Sequence, residues 1–270
     1  YMKKIKKGDI VSRNSYGNDI IFSVVRIMKN ETKVALLKGI DVRIEADAPL
    51  TDLQIVSREE QIKREKELEQ RILTMIEKEK KSKDNRRKEI IHTGRILHLD
   101  GDKRYSQKSY NYYQKMGLNA IVKNIPEYKQ PKVVYKLLKL YRPDILIITG
   151  HDGMIKRSSN FNDIYNYRNS RHFINTVKEA RRYDKENNCE TVIFAGACQS
   201  YFEALMLAGA NFASSPSRIL IDFLDPLIIA EKVATTEKYK FITVDEVTKE
   251  IRDGKKGIGG IGANGKMIIV

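Results

Sequence analysis

The chain has 270 residues, of which 41% are hydrophobic and 31% are charged, a composition typical of a globular protein with one sizeable core and a small accessory domain. Because no run approaches the roughly 18 consecutive apolar residues of a membrane span and the N-terminal residues lack the apolar core of a signal peptide, we expect a cytoplasmic protein without membrane insertion. Its two cysteines, Cys189 and Cys198, are too few for a zinc–thiolate cage, and an extended strand would hold them roughly 25 Å apart, too far for a disulfide.

The formal net charge of +15 favours an anionic partner such as nucleic acid, an acidic surface or an acidic protein. Lysine and arginine are spread over the whole chain, and the sequence contains no aromatic-interleaved RNA-binding pattern, zinc finger or basic-zipper heptad. Nucleic-acid binding is therefore not expected as the main function, and no sequence pattern indicates an oligomeric state.

Residues 1–56 have the pattern of a small β domain. Their β-branched runs are separated by turn-forming clusters and lie at residues 8–11, 20–27 and 33–37. Short strands at this spacing predict a small SH3-like β-barrel, which we interpret as a structural or docking module without chemistry of its own.

Residues 57–89 form a charge-dense segment with a narrow apolar stripe at helical spacing, made of Leu68, Ile72, Leu73 and Ile76. Basic and acidic residues nearly balance here, which predicts a solvated linker helix rather than a basic arm. The arginines of this helix make it an accessible target for any protease that cuts after arginine; they are Arg58, Arg64, Arg71, Arg86 and Arg87.

From residue 90 to residue 270, predicted strands and helices alternate, which is the pattern of a parallel α/β sheet. The strands are predicted at residues 95–100, 119–122, 145–149 and 191–195. The helices are predicted at residues 106–116, 131–141, 172–186 and 201–208. Further along, the pattern predicts a strand at 218–222, a helix at 226–237 and a flexible glycine-rich loop at 257–265. The region is therefore predicted to be a three-layer α-β-α sandwich with a mainly parallel sheet.

Two of these predicted strands end in a reactive side chain. The run at residues 145–149 is followed by His151, and the run at 191–195 is followed by Cys198. Because the carboxyl ends of neighbouring parallel strands open onto one crevice, a base and a nucleophile placed there can meet although they are distant in the chain. This placement predicts a cysteine hydrolase.

The other histidines and the second cysteine fit this role less well. Cys189 is interpreted as a small buried hydrophobe, and His92 and His98 as structural residues. His172, at a predicted helix start, is the alternative base. No histidine follows His172, which argues against a class I glutamine amidotransferase and against Gly-x-Ser-x-Gly hydrolases, whose histidine follows the nucleophile.

The order of strand, His-Asp-Gly, helix, strand and Gly-Ala-Cys-Gln-Ser, with the barrel-like start and the basic linker, resembles the YabG family of sporulation-specific cysteine proteases over essentially the whole chain. More broadly it resembles caspase-like peptidases, in which glycine directly follows the histidine, whereas here Asp152 intervenes before Gly153. The resemblance implies a caspase-like domain at residues 90–270 and no metal or organic cofactor. It also implies spore-coat and germination-related protein substrates cut at basic residues, self-cleavage in the linker, and a location in the mother cell or spore coat.

The chemistry of these groups then suggests a mechanism. Cys198 is predicted to be the nucleophile, because the His151 imidazolium and the helix that begins near Tyr201 both raise the thiolate fraction of a thiol. His151 is predicted to protonate the leaving amine and to act as the base in deacylation. The backbone N–H groups of Gly153 and Cys198 are the expected donors to the oxyanion.

An acidic residue at the strand ends would select arginine or lysine before the cut. By the resemblance to caspase-like enzymes, Asp100 and Asp102 are the candidates for substrate binding, with Asp222 and Asp225 behind them. The alternative function is a non-enzymatic spore-assembly or nucleic-acid-binding adaptor with a structural α/β domain. The two functions differ in one expectation: Cys198→Ala abolishes the function of a protease and leaves the function of an adaptor intact.

Overall fold

The N-terminal region forms a five-stranded antiparallel sheet in the computed structural model, which describes residues 4–29, 33–83, 91–155 and 160–269. Its strands are β1 (Ile10–Arg13), β2 (Ile21–Lys29), β3 (Lys33–Gly39), β4 (Glu45–Pro49) and β5 (Leu53–Ile55), in the order β4-β3-β2-β1-β5. The first three match the predicted runs. β4 has no β-branched residue and pairs with β3 along its whole length, so it depends on the ladder rather than on its own propensity.

The charged segment forms helix α1 (Arg58–Lys83), as its periodicity predicts. Leu68 and Ile76 of its apolar stripe are buried in the core of the C-terminal region, so the helix is packed against the rest of the molecule. Leu73, which the predicted stripe includes, is instead 40% exposed. Arg86 and Arg87 of the predicted linker lie outside the described residues.

The C-terminal region alternates strands and helices as expected. Its first elements are β6 (Ile91–His92), β7 (Ile96–Asp100), α2 (Lys103–Met116), β8 (Ala120–Asn124), α3 (Gln130–Tyr141), β9 (Ile145–Thr149), α4 (Ser170–Asn187), β10 (Val192–Ala195), α5 (Phe202–Leu207) and β11 (Phe212–Ser214). The remaining elements are α6 (Asp225–Thr235), β12 (Phe241–Ile242), α7 (Val244–Thr248), α8 (Gly254–Gly257), β13 (Ile258–Gly260), β14 (Ala263–Asn264) and β15 (Ile268–Ile269).

A six-stranded sheet in the order β13-β11-β10-β9-β7-β8 organises this region. All its neighbouring strands are parallel except β13, which runs antiparallel to β11. Successive residues of a strand point to opposite faces, so Ile145 and Ile147 join one core with α2 and α6, while Leu146 and Ile148 join the other core with α3 and α4. The prediction of an α/β fold with a mainly parallel sheet is confirmed.

Two predictions for the C-terminal end are wrong. Residues 218–222 do not form a strand, and residues 257–265 are not a loop but contain β13 and β14. The glycines are there because β13 passes very close to its neighbours: a Cβ on Gly260 would lie 2.2 Å from the Asn211 carbonyl oxygen, and one on Gly259 2.6 Å from the Phe202 ring. Among the described residues, none of the helices is both long and apolar enough to cross a membrane.

Candidate active site

Three of the predicted site residues lie at the carboxyl edge of the parallel sheet. Asp100 is the last residue of β7, His151 follows β9 and Cys198 follows β10, and β9 lies between β7 and β10. All three side chains are fully buried. The topology therefore brings the three residues to one edge, as the sequence predicts. A segment of the N-terminal region covers them.

The cover is the connection between β3 and β4, residues 40–44, which we call the Arg43 loop. It is held from both sides by strand-like bridges: Val42 pairs antiparallel with Asp222, and Ile44 pairs parallel with Asp152. The Tyr105 hydroxyl lies 3.1 Å from the Val42 carbonyl oxygen. The Arg43 loop thus crosses the edge as an extended, hydrogen-bonded segment.

The Arg43 side chain is fully buried and fills a pocket at the end of β7. Its Nη1 donates to Asp100 Oδ2 at 2.7 Å. Its guanidinium carbon lies 4.6 Å from the centroid of the Tyr105 ring and 5.5 Å from that of the Phe223 ring. Burial acts to raise the pKa of Asp100, but the Arg43 guanidinium and the His98 ring outweigh it and hold that pKa well below its ordinary value. The pocket combines a carboxylate with aromatic faces, as guanidinium recognition requires.

The Arg43 carbonyl oxygen accepts two backbone hydrogen bonds, from Cys198 N at 3.2 Å and from Asp152 N at 3.1 Å. The predicted second donor, Gly153, instead donates its N–H to Asp152 Oδ1 at 2.9 Å. Gly153 makes a different contribution, because a Cβ at that position would lie 2.3 Å from the Glu45 carbonyl oxygen. The chain that follows Arg43 can therefore pass only because residue 153 has no side chain.

The Cys198 thiol lies in the same cluster as the apolar residues of the N-terminal sheet. Its Sγ accepts a hydrogen bond from Ile221 N at 3.2 Å and lies 3.6 Å from the Ile221 carbonyl oxygen. Burial raises the pKa of Cys198 to about 12. With the Arg43 loop in place, Cys198 is therefore a protonated thiol.

The His151 ring stacks on Tyr105, with centroids 5.2 Å apart, and its Nε2 lies 3.0 Å from the Gly39 carbonyl oxygen. Because a carbonyl only accepts, Nε2 carries the proton, and Nδ1 keeps the lone pair with no hydrogen-bond partner. Burial, followed by the Lys38 charge, lowers the pKa of His151. Among the hydrogen bonds of the described residues, none joins His151 to Cys198.

Glu127 is a part of the site that the sequence analysis missed. Its Oε1 accepts the His151 N–H at 2.9 Å and lies 3.3 Å from Lys38 Nζ. Added Cβ atoms on Gly101 and Gly150 would lie 2.2 and 2.5 Å from the Glu127 carboxylate. A glycine directly after each of two neighbouring strands, β7 and β9, was the available signal that a side chain from elsewhere lies across their ends.

Asp152, which separates the histidine from Gly153, holds the two reactive turns together. Its carboxylate accepts from Ser200 Oγ, in the turn after Cys198, at 2.8 Å, and from the Asn169 N–H at 2.7 Å before α4. Burial raises the pKa of Asp152 to about 6 despite these hydrogen bonds. The residue that departs from the caspase-like pattern is thus bonded to both flanks of the site.

The remaining predicted carboxylates lie outside the Arg43 pocket. Asp102 caps α2 by accepting from Arg104 N and Tyr105 N. Asp222 accepts from Arg71 of α1 at 2.6 Å, and Asp225 accepts the Asp222 N–H at 2.9 Å.

The remaining cysteine and histidine candidates are placed as follows. The interpretation of Cys189 as a buried hydrophobe is wrong, because this residue lies in the connection between α4 and β10 and is exposed. Cys189 and Cys198 are both free thiols, and His172 is partly exposed beside Arg171. In the described part of the chain, no group of three or more His, Cys, Asp or Glu side chains is arranged to hold a metal ion.

Asp225 gives the protein a pH-dependent stability. Burial, followed by the Asp222 carboxylate, raises its pKa to about 7. A carboxyl whose pKa is raised on folding adds stability below its unfolded pKa, and that stability is lost as the pH rises through about 7. Asp225→Asn should therefore stabilise the protein at pH 8 by on the order of 2 kcal/mol and change little at pH 4.

Thermal unfolding at the two pH values measures this effect. The same change at the exposed Asp245 is the control and should leave both melting temperatures in place. Equal shifts of the Asp225→Asn protein at pH 4 and pH 8 would contradict the assignment.

Comparison with known proteins identifies the family. A family model described as YabG peptidase U57 matches residues 6–269. The sporulation-specific protease YabG of Bacillus subtilis (strain 168) is 39% identical over 279 residues, which span 97% of this chain and 96% of that protein. A solved structure, the receiver domain of the histidine kinase CKI1 from Arabidopsis thaliana complexed with Mg2+, is 15% identical and covers 43% of this chain and 79% of that chain, but its TM-score of 0.30 is too low to carry an argument. The predicted family is confirmed: the chain belongs to the YabG peptidase U57 family and is a peptidase.

Proposed function

We propose that this peptidase is a cysteine endopeptidase that cuts after arginine, with Cys198 as nucleophile and His151 as acid and base. One observation carries the proposal. The Arg43 loop has its guanidinium on Asp100, at 2.7 Å, and its carbonyl oxygen on two backbone N–H groups, one of them that of Cys198 itself. A bound peptide whose carbonyl is to be attacked by Cys198 needs both contacts.

In the proposed reaction the Cys198 sulfur attacks the carbonyl carbon of the arginine residue. The N–H groups of Cys198 and Asp152 stabilise the resulting oxyanion, with Asp152 taking the place that the sequence analysis gave to Gly153. His151 Nδ1 takes the thiol proton and passes it to the leaving amine, while Nε2 stays bonded to the Gly39 carbonyl or to its equivalent in a substrate complex. Water then hydrolyses the thioester.

The pocket favours arginine over lysine. Asp100 offers a carboxylate, and Tyr105 and Phe223 offer flat faces at the distances given above for a planar guanidinium. A lysine would place a point charge there without stacking. Asp102, which the sequence analysis pairs with Asp100, is proposed to act on the pocket only through its charge and through the start of α2.

The biological setting is proposed from the relatives. The Bacillus subtilis protein is named a sporulation-specific protease, and we extend that role to this chain, with spore-coat and germination-related proteins as substrates in the mother cell or spore coat. Membership of a peptidase family argues against the non-enzymatic adaptor, the alternative function considered from the sequence. Self-cleavage in the linker stays a prediction; its described arginines lie in α1, which would have to unwind to enter an extended site.

The fold assignment is part of the proposal. The sheet order of the C-terminal region, with the reactive residues after its third and fourth strands, supports a caspase-like sandwich at residues 90–270. The five-stranded order of residues 1–56 supports an SH3-like barrel. Helix α1, which lies within the predicted linker at residues 57–89, would then pack on the second domain.

Fluorogenic peptides that end in arginine, lysine or aspartate test the proposed function. We expect release from the arginine peptide, weaker release from lysine and none from aspartate, with both Cys198→Ala and His151→Ala inactive. His172→Ala is the matched control and should keep the activity. Loss of activity in His172→Ala but not in His151→Ala would transfer the role of base to His172.

Gly153→Ala distinguishes the contacts made by residues after the scissile bond from the contacts made by the arginine before it. The added methyl group meets the backbone that follows Arg43, at 2.3 Å, so we expect a loss of stability of about 1–3 kcal/mol. Peptides with residues beyond the arginine should be cut more slowly, while an arginine peptide with a small dye as leaving group should be cut at nearly the wild-type rate.

The control is Gly257→Ala, where the nearest atom to an added Cβ is at an ordinary 3.4 Å. Equal slowing of both peptide types by Gly153→Ala would show that the glycine does not serve the chain after the cut.

A further inference from the structure

We propose that the Arg43 loop is the enzyme's own first substrate, and that the bond it presents for cleavage is the one between Arg43 and Ile44. This inference rests on the proposed function, because it assigns a specific occupant to that same site. It also moves self-cleavage from the linker to the N-terminal sheet.

The Arg43 loop is bound as an extended peptide substrate would be. Segments on both of its sides pair with it, Asp222 with Val42 before Arg43 and Asp152 with Ile44 after it. Glu45 N continues the second ladder by donating to the Asp152 carbonyl at 2.7 Å. Recognition by added strand pairing, with a pocket for one side chain, is a recurrent mode of peptide binding.

Arg43 is poorly explained as a structural residue. It is fully buried, and its Nε and Nη2 have no hydrogen-bond partner although Nη1 is bonded to Asp100. A buried ion pair with unsatisfied donors adds little stability compared with an apolar side chain. The presence of an arginine here is better explained by its binding in the pocket than by a contribution to the stability of the N-terminal sheet.

The Arg43 loop also blocks access to the site. With the Arg43 loop in place, the side chains of Asp100, His151 and Cys198 have no exposed surface. A second substrate cannot reach them until the loop leaves. The intact chain is therefore latent, and cleavage after Arg43 frees the segment that fills the pocket.

The chemical step is the proposed reaction applied to this bond. The Cys198 sulfur forms a thioester with the Arg43 carbonyl carbon as the bond from that carbon to the Ile44 nitrogen breaks. The thiol proton passes through His151 to the Ile44 amine. Water then hydrolyses the thioester, leaving a carboxylate on Arg43 and the thiol on Cys198.

The two fragments should stay associated after the cut. The order of the N-terminal sheet interleaves them: β1, β2 and β3 precede the bond, whereas β4 pairs with β3 and β5 pairs with β1 from the other fragment. Cleavage would therefore be visible under denaturing conditions and leave the native mass unchanged apart from one added water.

The test compares intact masses under denaturing and native conditions for four proteins: wild type, Cys198→Ala, Arg43→Glu and Arg26→Glu. Arg26 is an exposed arginine of β2 and serves as the matched control. We expect wild type and Arg26→Glu to yield fragments that end at Arg43 and begin at Ile44, in a first-order process independent of protein concentration. Cys198→Ala should stay intact, with a rate lower by at least about 10⁴-fold.

Hydrolysis of an arginine peptide by the same proteins separates the two proposals. Arg43→Glu places a second carboxylate against Asp100, which should expel the loop and leave an open, active enzyme. If that variant cuts the peptide while the wild-type chain stays intact at 43–44 or is cut only in the linker, the inference is overturned and the proposed function stands. If Arg43→Glu is folded by circular dichroism and neither it nor wild type cuts the peptide, both fall. If Arg43→Glu does not fold, the masses of wild type and Cys198→Ala decide the inference alone.

Discussion

Replacing Cys198 with alanine is expected to abolish hydrolysis of arginine peptides, with kcat/KM reduced by at least about 10⁴-fold. The reason is that the sulfur is the only atom of this side chain that can form the acyl intermediate, while the binding contacts of Asp100 and the backbone N–H groups remain. Initial rates with a fluorogenic arginine peptide measure the loss.

The same variant should stay folded, which separates catalysis from structure. Cys198 is fully buried, and removing its sulfur leaves a small cavity and the Ile221 N–H without its acceptor, at a cost of about 1–2 kcal/mol. Cys189→Ala is the matched control and should change neither activity nor melting temperature appreciably. Retained peptide hydrolysis in folded Cys198→Ala would mean that another residue is the nucleophile.

Replacing Asp100 with asparagine is the second change with a large expected effect. The arginine pocket loses its charge, so kcat/KM for arginine peptides should fall by about 10²–10³-fold, mostly through a higher KM. Stability of the intact chain should fall as well, by about 3 kcal/mol, because Arg43 becomes a buried cation without its counter-ion. Peptide kinetics and chemical unfolding measure the two effects separately.

Asp102→Asn is the control for Asp100→Asn in both measurements. Asparagine caps a helix as well as aspartate does, so α2 should keep its start and stability should change by only a few tenths of a kcal/mol. Since Asp102 lies two residues from Asp100 but has no hydrogen bond to Arg43, arginine preference should survive. An equal loss of arginine cleavage in both variants would mean that general negative charge, not the Asp100 contact, sets the preference.

The approach of strands β7, β9 and β10 at one edge could be predicted from the sequence because it follows from local patterns. Two short apolar runs end in small residues and a reactive side chain, and parallel topology brings their ends together. The position of Asp100 follows from the same rule. Glycines after β7 and β9 also carry a readable signal, although its meaning depends on Glu127, which lies on a separate connection.

The Arg43 loop could not be predicted, because nothing in its composition marks it. Arg43 is one of many basic residues, and its burial depends on a contact between the N-terminal sheet and the end of β7 that no periodicity encodes. The choice between Asp152 and Gly153 as donor is equally invisible in the sequence, since it depends on which N–H turns toward the Arg43 carbonyl. β13 and β14 were missed for a related reason, because glycine there serves close packing rather than flexibility.

The central claim is that a guanidinium in the Asp100 pocket places the neighbouring carbonyl next to Cys198. A peptide that ends in an arginyl acyloxymethyl ketone tests it directly. Its ketone carbonyl takes the place of the scissile carbonyl, and an adjacent thiolate forms a bond to the neighbouring methylene carbon as the carboxylate leaves. With Arg43→Glu as the open form, peptide mapping should find one adduct, on Cys198, and the adduct should be absent when Asp100→Asn is added. Cys189 is exposed and serves as the internal control thiol. Adducts on Cys189 alone, or arginine-peptide hydrolysis that persists after full labelling of Cys198, would contradict the account.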